Sequence, residues 1–420
     1  MLKNAQMGSS LLYPKWSTIC DRTIKCIVRQ SAPVYDEPVY PFWVGLLMKS
    51  FDVLILGAGI VGTACAYEAA SAGLRVGIIE PAIPGGAATA AGMGHLVVMD
   101  DSPAQLALTK YSRGRWQQLR EQLPPHVEYE QRGTVWVASD GEEMDEVFSK
   151  QRTYANAGVG SQILDAAALY EAEPHLRPGL AGGLLVPQDA VIYPPTAAAF
   201  FLECARRMNA SFQRGVRPLT AAQGTVSLED GTRLSAGKIV IATGTDTSLA
   251  PSINMQKRKG HLVITDRCPG MVHHQLVELG YLKSAHKLTS DSVAFNVQPR
   301  QTGQLLIGSS RQYGDDSADV DEGILRKMLD RAVNYMPALR SVSVIRVWTG
   351  FRAATPDKLP LIGPTPDPTV FLAMGFEGLG ITNAPGAARL VVDHLLGRKS
   401  AIDASPYLPS RTGVSEVLHA

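Results

Sequence analysis

The first clear pattern along the chain is a strand, a helix and a second strand. The apolar run Phe51–Leu56 is closed by glycine, which predicts a short buried strand. A stretch of small residues then predicts a helix that ends near Ala72, with Gly73 as its C-terminal stop. The next apolar run, 75–79, predicts a second strand that ends at Glu80. This order is typical of a βαβ unit with a parallel sheet.

The alternation of predicted strands and helices continues to residue 250, and the pattern after that residue is different. The patterns up to that point predict a helix at 103–123, a strand at 132–138, a helix at 142–157, two short strands within 180–194, a helix at 195–208, a hairpin at 225–234 and a buried strand at 238–244. The next part predicts an antiparallel sheet with a covering helix, from strands at 261–265, 292–297 and 304–308 and a helix at 319–335. The last part predicts a strand at 344–352, a proline-rich turn at 355–364, a buried strand at 369–375 and a helix through 396.

These patterns predict two domains, each built from discontinuous segments. We expect an α/β dinucleotide-binding domain from residues 48–125, 185–250 and 345–400, an α+β antiparallel-sheet domain from 126–184 and 251–344, and a tail from 401–420. Residues 1–47 mix basic residues, prolines and aromatics without periodicity and lack the apolar core of a secretory signal. We interpret them as a disordered extension or the product of an upstream start, with Met48 as the effective start; a transit peptide is the weaker alternative.

A glycine motif joins the first strand to the first helix. Gly57, Gly59 and Gly62 form a G-x-G-x-x-G, in which the glycines allow a tight turn, close approach of a pyrophosphate and close helix–strand packing. Glu80 can accept hydrogen bonds from an adenosine ribose. An ordinary βαβ unit with chance glycines is the alternative, but both strands, the helix and the terminal acid stand in register. The motif indicates a dinucleotide without distinguishing NAD from FAD.

The run of small residues at 84–94 comes directly after the second strand. Its composition fits a flexible loop or a backbone that lies against a flat ligand, and its position favours the ligand. His95 follows the run, and a lone histidine is more often a structural group than a functional one.

Composition limits the remaining possibilities. The chain has 420 residues, 45% of them hydrophobic, and a net charge of +1, which argues against a nucleic-acid partner. No apolar run is long enough for a transmembrane segment. The 5 cysteines are dispersed without a C-x-x-C, so we expect no disulfide framework, no metal site and no iron–sulfur centre on this chain. A reducing, cytoplasmic location fits best, with peripheral association at the inner membrane as an alternative.

Glycine-rich segments at both ends and in the middle of the chain resemble those of the D-amino-acid oxidase superfamily. They are Gly57–Gly62 with Glu80, Ala242–Gly244, Trp348–Arg352 and Gly375–Gly380. Within the superfamily the chain is most similar to flavin subunits of D-hydroxyproline dehydrogenase, opine oxidase and hydrogen cyanide synthase, and it is related to glycine and sarcosine oxidase. The resemblance implies a Rossmann-like FAD-binding domain of the glutathione-reductase type beside a substrate domain.

The resemblance also implies site residues. Cofactor contacts are expected at Gly57, Gly59, Ile60, Val61, Gly62, Glu80, Ala91, Gly92, Met93, Val216, Thr243, Gly244, Gly350, Gly378, Leu379, Gly380, Ile381 and Thr382. Arg352 would bind the substrate carboxylate through its planar fork. Asn296 and Arg311 align with substrate-pocket positions of the superfamily. The alternative for each is an ordinary polar residue on the domain surface.

Two departures from the superfamily pattern change these expectations. The second arginine of glycine oxidase falls at Gly378 here, so a second anchor is missing or comes from elsewhere. The cysteine that links flavin covalently in sarcosine oxidase falls at Gly350, so we expect non-covalent FAD.

The implied reaction is oxidation of the Cα–N bond of a D- or cyclic amino acid, such as D-4-hydroxyproline, by hydride transfer to flavin N5. The resemblance favours a dehydrogenase with partner subunits, a ferredoxin-like iron–sulfur protein and a second flavin subunit in a hetero-oligomer. The alternatives are a glycine, sarcosine or D-amino-acid oxidase that uses oxygen, an opine oxidase subunit, and a dinucleotide-binding assembly subunit without catalysis.

Overall fold

The computed structural model describes residues 50–280 and 291–411. The predicted extension 1–47, with Met48, and the end of the predicted tail lie outside these residues. The strands of the first part are β1 Phe51–Leu56, β2 Val76–Glu80, β3 His95–Leu96, β4 Thr134–Ala138, β5 Gln162–Asp165, β6 Gly182–Val186, β7 Ala190–Val191, β8 Ser211–Arg214, β9 Pro218–Ala222, β10 Thr225–Leu228 and β11 Arg233–Ile241. The later strands are β12 Gln256–Arg267, β13 Gln275–Glu278, β14 Ser292–Pro299, β15 Gln304–Arg311, β16 Val344–Ala354, β17 Leu361–Pro364, β18 Val370–Met374 and β19 Phe376–Glu377.

The α-helices largely follow the predicted ones, with boundaries shifted by a few residues. They are α1 Ile60–Ser71, α2 Ala87–Ala91, α3 Pro103–Leu119, α4 Gly141–Asn156, α5 Ala166–Ala172, α6 Pro194–Arg207, α7 Glu322–Tyr335 and α8 Gly380–Leu395. Single 3-10 turns lie at Arg120–Gln122, Pro125–Val127, Pro337–Ser341 and Ser405–Tyr407. In the described part of the chain, no helix has both the length and the apolar composition that crossing a bilayer requires.

The first sheet confirms the predicted Rossmann-like unit. Its central strands run β18-β11-β1-β2-β8 and are all parallel, and β17 adds an antiparallel edge. Alternate residues of β1 enter different cores: Val53 and Ile55 pack under helices, while Leu54 and Leu56 pack toward the β9–β10 hairpin layer. Because β1 is covered on both faces, it needs the continuous apolar run that the sequence shows.

The second sheet confirms the predicted α+β arrangement. Nine strands are ordered β19-β16-β12-β15-β14-β13-β4-β6-β5 and are mostly antiparallel. Helix α7 covers one face, where Phe295 stacks on Tyr335 with ring centroids 4.5 Å apart. The opposite face is turned toward the first sheet and forms one wall of a cavity.

Three sequence predictions differ from the structure. Strand β16, expected in the first domain, pairs with β12 along its length and so belongs to the second sheet. Residues 361–364 form β17 rather than part of a turn. The start of the predicted tail is packed, since Tyr407 is buried and its hydroxyl donates to the Ala104 carbonyl over 2.6 Å. An apolar strand does not encode its partner, which explains the misassigned β16.

Candidate active site

The turn between β1 and α1 brings three chain segments into close contact. Gly57 has φ +105°, a conformation that other residues avoid, and a Cβ there would lie 2.5 Å from the carbonyl oxygen of Ala242. A Cβ at Gly62 would lie 2.0 Å from the Gly57 carbonyl oxygen. Only glycine fits both positions, and the N-terminus of α1 therefore reaches the carboxyl edge of the sheet, where open α/β folds bind ligands.

Glu80 lies beside this glycine turn. Its Oε2 accepts from the Ala58 N–H over 2.7 Å, and its Oε1 accepts from the Ala82 N–H over 2.8 Å. A carboxylate has about four acceptor sites, so both oxygens retain capacity for ribose hydroxyls. The Gly215 N–H donates to the Glu80 carbonyl over 2.9 Å. Val216, the next residue, therefore lies near Glu80.

The small-residue run contains a short helix, α2, rather than only loop. Thr89 Oγ1 accepts from the Ile60 N–H over 3.1 Å, which ties α2 to the start of α1. Strand β16 presses against the other side: a Cβ at Gly350 would lie 2.3 Å from the Ala91 Cβ. Ala91, Gly92 and Met93 form one wall of the cavity.

A second helix N-terminus, that of α8, faces the same cavity. Gly378, Leu379, Gly380 and Ile381 line it. Neither α1 nor α8 has an acidic residue in its first turn, so the N–H groups without a partner inside each helix leave a positive potential there. Two such helix ends with a glycine-lined wall between them fit the diphosphate and the ring of a flavin dinucleotide.

Thr382 fixes the position of α8 without lining the cavity. Its Oγ1 donates to the His95 carbonyl over 2.8 Å and accepts from the Val97 N–H over 3.3 Å. The His95 ring itself lines the cavity, and burial lowers its pKa to about 3, so the imidazole is neutral.

Arg352 on β16 extends into the cavity across β12. Its Nη1 donates to the Ser310 carbonyl on β15 over 3.0 Å. The side chain passes over Gly260, where a Cβ would lie 2.6 Å from Nη1. The guanidinium also lies close to the tip of α8, since a Cβ at Gly378 would be 3.6 Å from its Nε.

Three guanidinium groups surround a single carboxylate here. Arg311 is 8% exposed and follows Ser310, and Arg258, 2% exposed, forms an ion pair with Glu377. Burial raises the pKa of the Glu377 carboxyl, but the three guanidinium groups and the hydrogen bond from the Gly378 N–H together lower it by more, so its pKa lies below the ordinary value. Glu377 is therefore ionised, and the excess positive charge makes the site attractive to an anion.

The structure brings most of the predicted site residues into one cavity. Its lining includes Gly59, Ile60, Val61, Ala91, Gly92, Met93, Gly244, Asn296, Arg311, Gly350, Arg352, Gly378, Leu379, Gly380 and Ile381. The remaining predicted residues lie outside the lining: Gly57, Gly62, Glu80, Val216, Thr243 and Thr382. Thr243 instead donates through Oγ1 to the Asp246 carbonyl over 2.6 Å.

Several lining residues were not predicted from the sequence. Among them, Gly260, Trp136 and Gln275 line the cavity, and Glu377 lines it next to Arg352. A glycine inside the strand pattern of β12 was a usable signal, because it often marks close approach of another group. Glu377 stood within a recognised motif without a role, and neither Trp136 nor Gln275 carries a local signal.

Comparison with known proteins identifies similar sequences over most of the chain. The family described as "DAO: FAD dependent oxidoreductase" matches residues 52–394. Glycine oxidase of Geobacillus kaustophilus is 26% identical over 378 residues, covering 86% of this chain and 97% of that protein. Hydrogen cyanide synthase subunit HcnC of Pseudomonas aeruginosa is 25% identical over 427 residues, covering 86% of this chain and 96% of that protein.

The fold is also similar to that of a solved structure. The crystal structure of glycine oxidase from Geobacillus kaustophilus superimposes with a TM-score of 0.77 at 24% sequence identity. The similarity covers 86% of this chain and 99% of that one.

Proposed function

Because the chain belongs to the DAO family of FAD-dependent oxidoreductases, we propose that it oxidises the Cα–N bond of a D- or cyclic amino acid such as D-4-hydroxyproline. One observation carries the proposal: the Arg352 guanidinium lies in the cavity lined by the N-termini of α1 and α8. A fixed cationic fork beside the FAD-binding residues suits an amino-acid carboxylate.

FAD would be held by the residues that the two sheets bring together. The N-terminus of α1 would bind the pyrophosphate, and Glu80 the ribose. The Ala91–Met93 segment and the tip of α8 would flank the ring. When bound, FAD would supply the hydride acceptor for the Cα hydrogen of the amino acid, and loss of that hydride from a neutral amine would leave an iminium ion for water to hydrolyse. At Gly350 there is no space for a side chain that could link it covalently.

The protein's own contribution is orientation and electrostatics. Arg352 would bind the carboxylate, and its bond to the Ser310 carbonyl keeps the fork in place. Arg311 adds a second cation where the superfamily's second arginine is absent at Gly378. Nearby guanidinium groups disfavour a substrate ammonium, so the amine binds neutral and no protein base is required. The neutral His95 ring adds no charge.

The electron acceptor belongs to the same proposal. HcnC is named as a subunit of hydrogen cyanide synthase, which supports assembly with partner subunits. We propose a dehydrogenase that passes electrons to a ferredoxin-like iron–sulfur protein and a second flavin subunit. Similarity to glycine oxidase favours the alternative of oxygen as acceptor. The rate of flavin reoxidation by oxygen, compared with the rate with an artificial quinone, distinguishes an oxidase from a dehydrogenase.

Anaerobic bleaching of the bound flavin tests the function. The protein is mixed without oxygen with D-hydroxyproline, D-proline, glycine, sarcosine and an opine, and the flavin absorbance is followed. Bleaching by an amino acid is expected, and a flavin that none of them reduces would refute the proposal.

Arg352→Leu should raise the KM for the amino acid severely. Arg207→Leu, at an exposed position of α6, serves as a control that leaves the KM unaltered. An unchanged KM in Arg352→Leu would exclude the carboxylate role.

A further inference from the structure

Several buried polar atoms without a hydrogen-bond partner lie in the lining of the active-site cavity. Among the described residues they include His95 Nε2, Trp136 Nε1, Gln275 Oε1, Asn296 Oδ1 and Ser309 Oγ. Buried polar groups are nearly always paired in folded proteins. Because these atoms line a cavity, a ligand with polar groups of its own would pair them.

Three of these side chains share one wall, on the second sheet. Trp136 on β4 is in register with Val277 on β13, and Val277 is in register with Asn296 on β14. Residues opposite each other on neighbouring strands project from the same face, and so does Gln275, two positions before Val277. The three polar side chains therefore lie together on rigid strands.

Apolar side chains line the same cavity as this wall. They include Val97, Met99 and Val277. The indole of Trp136 is held from one side by Lys150, whose Nζ lies 4.5 Å from the ring centroid and forms an ion pair with Asp100. An apolar recess with a few fixed polar groups is typical of a subsite that recognises one particular substituent.

We infer that Trp136, Gln275 and Asn296 form a side-chain subsite that binds a hydroxyl group on an otherwise apolar substrate side chain. A hydroxyl both donates and accepts, so it can donate to an amide oxygen and accept from the indole N–H. The inference rests on the proposed function, since Arg352 must fix the carboxylate at the other end. An analogue that lacks the hydroxyl leaves the buried atoms unpaired, and such sites discriminate strongly against it.

Paired substrates test the subsite. The anaerobic rate of flavin reduction is measured over a range of concentrations for cis-4-hydroxy-D-proline and D-proline, and for D-serine and D-alanine. In the wild type we expect kcat/KM to favour the hydroxylated member about ten- to hundredfold. Gln275→Met has nearly the same shape and should reduce that ratio about tenfold.

Two further variants keep the test decisive. Asn296→Leu should reduce the ratio in the same direction, and it is measured should Gln275→Met fail to retain flavin. Gln162→Met places the same substitution at an exposed position of β5 in the same sheet and should leave the ratio at the wild-type value. Equal kcat/KM values within both pairs would overturn the subsite alone. A flavin that no amino acid reduces would overturn the proposed function, and the subsite with it.

Discussion

At the scale of single residues, Gly260 decides where the Arg352 guanidinium can lie. A Cβ at residue 260 would lie 2.6 Å from Nη1 and 2.9 Å from Nη2 of Arg352. The obstructing atoms are the end of a flexible side chain, so in Gly260→Ala we expect the guanidinium to move while the fold is kept. The KM for a carboxylate substrate should rise by about tenfold or more, which corresponds to the loss of one charge-assisted hydrogen bond.

The control for this prediction is Gly114→Ala in α3, where an added Cβ meets nothing within 4 Å. It should leave the KM unaltered and stabilise the helix by up to about 1 kcal/mol. A wild-type KM in Gly260→Ala would mean that Arg352 does not act from its position over β12.

Glu377 is the second residue whose removal has a specific expected result. In Glu377→Gln the buried Arg258 loses its ion-pair partner, and the free energy of unfolding should fall by about 3–5 kcal/mol. Urea unfolding at neutral pH measures it. Glu203→Gln, which breaks an exposed pair with Arg207 on α6, should cost less than about 1 kcal/mol.

The pH dependence of stability gives an independent check on Glu377. Its pKa in the folded protein lies below the ordinary value of 4.5, so the ionised form is favoured by folding. The resulting stability is fully present above pH 4.5 and is lost as the pH falls through the lower folded value. Glu377→Gln should lack this acid-induced loss, and an identical acid profile in wild type and variant would contradict the assignment.

At the scale of elements, the contact between α1 and β1 positions the end of the helix that we propose binds the pyrophosphate. A Cβ at Gly62 would lie 2.0 Å from a backbone oxygen, which cannot rotate away as a side chain can. In Gly62→Ala we expect α1 to shift from the sheet, with a loss of stability of about 1–3 kcal/mol and a purified protein poor in flavin. Flavin absorbance per mole of protein measures the effect, with Gly114→Ala as control. Full flavin content in Gly62→Ala would refute it.

The same contact shows which elements the sequence could predict. The unit β1–α1–β2 was predictable because the glycine motif, the apolar runs and the terminal acid all lie within one short stretch of the sequence. Strand β16 was predicted as a strand but placed in the wrong sheet, because its partner β12 is distant in sequence. Short elements such as β13 were not predicted, since four residues carry too little periodicity.

At the scale of the whole molecule, the active site depends on chain segments far apart in sequence. The glycine motifs and Arg352 could be identified from local patterns and their resemblance to a family. Local patterns could not identify the buried cluster around Glu377 or the wall of Trp136, Gln275 and Asn296. Only strand pairing brings the residues of that wall together. The sequence therefore identified the proposed cofactor side of the cavity better than the proposed substrate side.

Contacts between the two sheets determine how the molecule should respond to loss of FAD. Gln298 Nε2 on β14 donates to the Met93 carbonyl over 2.9 Å, and Arg300 forms an ion pair with Glu128 at 2.6 Å. The first contact ties the second sheet to the Ala91–Met93 segment, and the second ties it to the residue after Val127, which packs in the core under the first sheet. Both parts should therefore unfold together. FAD at a thousand times its dissociation constant should stabilise the apoprotein by about 4 kcal/mol. Calorimetry of the apoprotein at increasing FAD should show one transition that shifts upward, with NAD as the control ligand. Two transitions, only one of them sensitive to FAD, would show that the sheets unfold independently.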